Sequence, residues 1–279
     1  MLTTLPDGRV AQSWLGGAEA GPLVMFFHGC PDTRWAAMTG ADAARAAGVR
    51  LLCVNRPGYG RSTPHASSHA SVADDAAAVL DVLGVDRVSA LGMSVGGAYA
   101  VTMAGRHPDR VTALGVVATL PMHASDTTPI DELVERYRPG FAAFVAGVDP
   151  DDPDDEGLAA RWLAGLPDQD AALLASSGPA FVAGSVREAL ADPGGYLRDA
   201  ALLTRAWPER AEDVRCPTRL WYGERDERSH SGGDWFAARI AGAELVVRPG
   251  ATHWATLAAH WPDVLAWLDR TVPDDTPGL

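Results

Sequence analysis

The sequence predicts an α/β protein, with a mostly parallel central sheet, helices on both faces and a helical cap inserted before the last strands. Three observations lead there. Short apolar or β-branched runs alternate with Ala- and Leu-rich stretches whose apolar positions recur three or four residues apart. One long segment of different character interrupts that alternation. A glycine-rich turn joins one of the runs to the helix-prone stretch that follows it.

Taken in order, the runs at 23–27, 50–54, 88–91 and 111–117 read as buried strands, since they are apolar almost throughout, as strands covered on both faces are. The stretches 36–47, 71–83 and 95–106 between them carry helical periodicity. The second opens with Ser71 and, three residues on, Asp74, a hydroxyl and a carboxylate suited to the exposed amides and dipole of a first helical turn. Strands that alternate with helices pair in parallel, because the crossovers lay the helices on the sheet faces. The alternation stops near Leu120 and Pro121. It resumes with a strand at 218–222, a helix at 234–241, a strand at 244–247 and a last helix at 256–270. Residues 1–120 and 208–272 are therefore expected to form the core, 121–207 a helix-prone insertion between two sheet strands, and 273–279 a frayed tail. The acidic run at 149–156 reads as a solvated turn, because its prolines fit no EF-hand calcium loop.

A net charge of −13 disfavours nucleic acid and an anionic membrane as partners. All 23 basic residues are Arg, and without Lys there is no Schiff base, no lysine-anchored pyridoxal phosphate and no phosphate loop ending in Gly-Lys. Cys30, Cys53 and Cys216 are too few and too scattered for a disulfide framework or a thiolate metal site. His65 and His69 have helical spacing, but Pro64 and nearby serines suggest a loop and nothing completes a ligand set; His107 reads as a helix end. No cofactor and no metal is expected. The first residues lack a basic start and apolar run, and the uncharged stretch 88–105 is broken by four glycines and two serines. A cytoplasmic protein with a small-molecule partner is the expectation, with no signal for an oligomeric state.

The chemistry concentrates at Gly92-Met93-Ser94-Val95-Gly96-Gly97, between an apolar run and an Ala-rich helix. This is G-x-S-x-G in its required context: small neighbours let the chain reverse sharply and lift the Ser94 hydroxyl clear of the sheet. The same turn leaves the Val95 N–H at a helix amino terminus, where it can stabilise an oxyanion. A glycine-rich turn with an incidental serine is the bland alternative. A dinucleotide fingerprint fits less well, because the second glycine is missing. A nucleophilic serine needs a base and an orienting acid. Asp226 follows the strand at 218–222, with Glu224 and Glu227 as neighbouring alternatives, and His253 follows the strand at 244–247. The order Ser94, Asp226, His253 and the strand-exit positions suit a sheet whose active groups gather at the carboxyl ends. In His28-Gly29-Cys30-Pro31, Pro31 has no N–H, so the Cys30 amide is the natural second oxyanion donor; Cys30 as nucleophile lacks a local base.

Together with Asn55-Arg56-Pro57-Gly58-Tyr59-Gly60-Arg61-Ser62, these segments resemble the α/β-hydrolase superfamily from about Leu23 to Arg270, and the insertion resembles its helical lid. The resemblance implies Ser94 as nucleophile, His253 as general base then acid, Asp226 as its orienter, and the Cys30 and Val95 amides as the oxyanion hole. The loop at 57–62 carries no assigned catalytic role. Haloalkane dehalogenases and epoxide hydrolases of this fold carry Asp in place of Ser94, and proline iminopeptidases show His-Gly-Gly-Pro-Gly where this chain has Cys30 and Asp32. The expectation is a serine hydrolase acting on a small or medium, largely apolar ester, lactone or thioester. Tyr137, Phe141, Phe144, Trp162 and Phe181 of the lid, with Met93 and Trp254 beneath, are candidates to wall the acyl pocket, each also readable as a core residue. The rivals are a non-hydrolytic or carbon–carbon-cleaving enzyme of the same fold and a binding protein that has lost catalysis.

Overall fold

Apolar runs without polar alternation become the inner strands of one sheet. The computed structural model describes residues 1–122 and 124–270; the expected tail at 273–279 lies outside the described residues. The strands are β1 (Leu2–Thr4), β2 (Val10–Gly17), β3 (Leu23–Phe27), β4 (Arg50–Val54), β5 (Val88–Met93), β6 (Val111–Val117), β7 (Thr218–Gly223) and β8 (Glu244–Arg248). They lie in the order β1-β2-β4-β3-β5-β6-β7-β8. β2 pairs antiparallel with β1 and β4, and the remaining neighbours are parallel. The sequence expectation lacked β1 and β2. β2 buries Gln12 and Ser13 and ends in two glycines, so neither alternation nor an apolar run marks it; pairing with β4 makes it a strand.

Helices α1 (Trp35–Met38), α2 (Ala41–Ala47), α3 (His69–Val82) and α4 (Val95–Arg106) precede an insertion of α5 (Ile130–Gly147), α6 (Asp155–Leu163), α7 (Asp168–Ala175), α8 (Pro179–Leu190) and α9 (Pro193–Thr204). Helices α10 (His230–Ala237), α11 (Ala255–Ala258) and α12 (Trp261–Arg270) follow. Several boundaries depart from the periodicity. The stretch at 36–47 breaks at Gly40, which lies under the Trp261 ring where a Cβ would not fit. α3 starts before Ser71 because Ser68 caps it: the Ser71 N–H donates to Ser68 Oγ at 3.1 Å and the Ser68 N–H to Ser71 Oγ at 2.9 Å. α10 begins at His230, through two glycines that disfavour a helix; a Cβ on Gly232 would strike the Thr119 carbonyl. The last helix divides into α11 and α12, the second restarting at Trp261 with Pro262 in its first turn, where the missing N–H costs nothing.

The inner strands feed both faces. In β3, Leu23, Met25 and Phe27 join one apolar cluster with α3, α4 and α10, while Val24 and Phe26 join the other with α1, α2 and α12. The two-residue period of a strand thus explains five consecutive buried residues. The insertion has its own apolar cluster around Leu158, Ala183, Val186 and Leu197. Its two ends are drawn together by a bridge between Asp126 and Arg205. The acidic run turns on Asp149 and Asp152, whose carboxylates accept the Asp151 and Asp154 amides at 2.9 and 2.8 Å. Asp152 pairs with Arg161 and Asp155 with Arg187, the latter at 2.6 Å.

Candidate active site

The carboxyl ends of β3, β5, β7 and β8 carry the residues singled out above. β5 ends in a reversal at Ser94, whose φ of 55° and ψ of −129° lie where residues with a Cβ seldom go. Such a backbone costs on the order of 1–3 kcal/mol and persists because its surroundings over-determine it. The Ser94 N–H donates to the Val117 carbonyl at 2.8 Å, tying the turn to β6. The glycines close the rest: a Cβ on Gly92 would collide with the Gly96 carbonyl, one on Gly96 with the Phe27 carbonyl, and one on Gly97 with the Thr119 hydroxyl. Close approach of backbones is what these three positions require.

The turn after β7 carries Asp226, 5% exposed, and the loop after β8 carries His253. Nδ1 of His253 lies 2.6 Å from Oδ2 of Asp226. The Ser229 hydroxyl donates to the same oxygen. Burial raises the Asp226 carboxyl, but the hydrogen bonds from His253 and Ser229 outweigh it and hold the group below the ordinary carboxylate range. An ionised Asp226 on Nδ1 leaves Nε2 as the free imidazole nitrogen. Glu224 points elsewhere, accepting the Gly250 N–H at 2.8 Å, and Glu227 is exposed.

The β3 exit loop runs beside the serine: a Cβ on Gly29 would stand 3.5 Å from Ser94 Cβ. The Cys30–Pro31 peptide is cis. Among the described residues, neither the Cys30 nor the Val95 N–H is bonded to a protein acceptor. The Cys30 thiol lies against Tyr59, whose hydroxyl is 3.3 Å away. Burial and the nearby Asp199 carboxylate push that thiol far up, so a thiolate is disfavoured there.

A buried polar cluster underlies this loop, and sequence reasoning missed its centre. Arg56 donates to the His28 and Gly29 carbonyls at 2.5 and 2.7 Å and pairs with Asp199 of α9 through Nη2 at 2.5 Å and Nε at 3.2 Å. The Tyr59 and Tyr99 hydroxyls donate to the two Asp199 oxygens, each at 2.6 Å. Asp199 interrupts the buried face of α9 formed by Gly195 and Leu202, and an acid within an apolar stripe was the available signal.

Tyr137, Phe141, Phe144 and Trp162 pack with Tyr196 in the insertion; Phe141 and Tyr196 have ring centroids 5.0 Å apart, and Phe144 is exposed. Phe181 meets Trp35 edge to face at 5.0 Å. Met93 is buried in the sheet cluster with Trp254 packed against it. His69 begins α3 and packs on Tyr99 with centroids 4.7 Å apart, and the His107 Nε2 lies 2.9 Å from Asp74.

A family model described as the alpha/beta hydrolase fold matches residues 22–258. The chain belongs to that family. This α/β hydrolase is 31% identical over 261 residues to pimeloyl-[acyl-carrier protein] methyl ester esterase of Chromobacterium violaceum, a match that covers 89% of this chain and 93% of the relative. It is 26% identical over 244 residues to epoxide hydrolase B of Mycobacterium tuberculosis, covering 77% of this chain and 68% of the relative. Among solved structures, the enol-lactonase of Burkholderia xenovorans superposes with a TM-score of 0.74 at 20% identity, over 96% of this chain and 99% of that one. Among the described residues of the hydrolase, no helix is long and apolar enough to cross a membrane.

Proposed function

We propose that this α/β hydrolase is a serine hydrolase that cleaves a small or medium, largely apolar ester, lactone or thioester through an acyl-enzyme on Ser94. The observation that carries the reading is the 2.6 Å pairing of His253 Nδ1 with Asp226 at the sheet end that bears the Ser94 elbow. With Nδ1 held by the carboxylate, His253 Nε2 takes the Ser94 proton as the hydroxyl attacks the acyl carbon, and Asp226 stabilises the imidazolium. The Cys30 and Val95 amides receive the oxyanion. Collapse of the tetrahedral intermediate breaks the bond to the leaving group, which takes the proton from His253. Water, deprotonated by His253 in turn, releases the acid and restores Ser94. The five inserted helices are proposed to cap the site, with residues 1–120 and 208–272 as core and 121–207 as cap. The methyl ester esterase among the relatives supports an ester. The epoxide hydrolase relative supports the fold, while the family resemblance implies an Asp for epoxide hydrolysis where this chain has Ser94.

The test is covalent labelling with a fluorophosphonate probe. The native protein should label and Ser94→Ala should not; equal labelling of both, or of neither, would refute the nucleophile. An ester and lactone panel then identifies the acyl and leaving groups.

A further inference from the structure

The backbone around His253 is held by the insertion rather than by the sheet alone. Asp170, in the first turn of α7, is 3% exposed. Its Oδ1 accepts the Ala255 N–H at 2.9 Å and the Thr252 hydroxyl. Its neighbour Gln169 places Oε1 3.1 Å from the Thr252 N–H and 3.0 Å from the Thr252 hydroxyl. Thr252 and Ala255 bracket His253, so two side chains from one insertion helix grip the loop on both sides of the imidazole, while Asp226 fixes the ring itself. Three polar groups of that loop would otherwise lack these partners in a buried place, where an unmet hydrogen-bonding group is costly.

We propose that Asp170 is a positioning residue for His253, so that seating of the insertion on the His253 loop sets the geometry of proton transfer. This rests on the reading of His253 as the base. The consequence is kinetic and specific. Loosening the loop displaces Nε2 from the Ser94 hydroxyl, and a shift of about 1 Å at a reacting group can cost as much as 10²-fold in rate. Substrate binding by the insertion need not change.

The experiment compares native protein with Asp170→Ala, Asp170→Asn and Thr252→Ala in fluorophosphonate labelling rate and in turnover of a panel ester. Asp170→Ala should lower the labelling rate and kcat by about tenfold or more with KM within about twofold. Asp170→Asn, whose amide oxygen still accepts both donors, should keep most of the native rate. Thr252→Ala should fall in the same direction, and the double variant should be no worse than the poorer single one, the mark of a shared interaction. Native rates in Asp170→Ala, or a raised KM with unchanged kcat, would overturn the proposal. Where Asp170→Ala does not fold, a native rate in Thr252→Ala overturns it. Failure of the underlying reading looks different, since the native protein would then show no labelling dependent on Ser94.

Discussion

Arg56, just past β4, and Asp199 of α9 meet as an ion pair whose side chains are each 3% exposed. Two charges so far from water are tolerable only when they are paired and their remaining hydrogen-bonding positions are filled. The tyrosine hydroxyls and the His28 and Gly29 carbonyls fill them. Removing one partner leaves the other charge buried alone. Asp199→Ala should therefore lose about 3–5 kcal/mol of stability, read by urea denaturation. An exposed pair such as Arg45 with Asp42 gives the contrast, and Asp42→Ala should stay within about 0.5 kcal/mol of native.

Asp226 is proposed to hold His253 with Nδ1 protonated. An amide in its place can donate to Nδ1 and stabilise the wrong tautomer without altering shape. Asp226→Asn should thus fold normally and react with a fluorophosphonate roughly 10⁴-fold more slowly than native protein. A rate within tenfold of native would remove Asp226 from the mechanism.

The elbow glycines should be intolerant for a steric reason. A methyl on Gly96 meets the Phe27 and His28 backbone carbonyls, which cannot turn away as a side chain would. Gly96→Ala should cost at least about 1–3 kcal/mol. At Gly140, inside α5, an added methyl meets nothing within 4 Å and the backbone is helical. Gly140→Ala should raise stability by about 0.4–1 kcal/mol. Thermal melts of the two variants should move in opposite directions.

His69 links stability to pH. Burial, helped by the positive charge of Arg56 and opposed by Asp199, lowers its pKa to about 4. In the unfolded chain the same imidazole titrates near 6.5. Between those values the unfolded state holds the extra proton, so stability is complete above about pH 6.5 and is lost as pH falls toward 4. The loss attributable to His69 is on the order of 3 kcal/mol. His28, buried and lowered in the same direction, adds to the slope. Melting temperatures taken across this range should fall with acid, and His69→Gln should flatten the curve.

The inner strands and α4 were legible because a strand covered on both faces must be apolar throughout, and because the glycines at 92, 96 and 97 leave room for the tight reversal that G-x-S-x-G marks. The positions of Asp226 and His253 just past strand ends were legible for a related reason. In a parallel sheet, every strand exit opens on the same edge, so chain order places these residues in space. α3 starts ahead of the Ser71 that the sequence pattern suggests, since Ser68 and Ser71 can each cap a helix and only their reciprocal bonding decides between them.

By itself, the sequence determined the sheet-and-helix class, the family resemblance and the residues gathered at the strand exits, because each depends on local periodicity or on spacing within a few residues. Only the tertiary structure decided that β2 pairs antiparallel with β4, that Asp199 meets Arg56 from 143 positions away, and that Asp170 reaches Thr252 from 82 away. Buried carboxylates find partners through space, and nothing in the spacing of a helical segment says which loop its polar residues will meet. The Ser94 elbow belongs to the first kind of knowledge and its surroundings to the second: glycines chosen along the chain allow the turn, and contacts from β3 and β6 hold it in place.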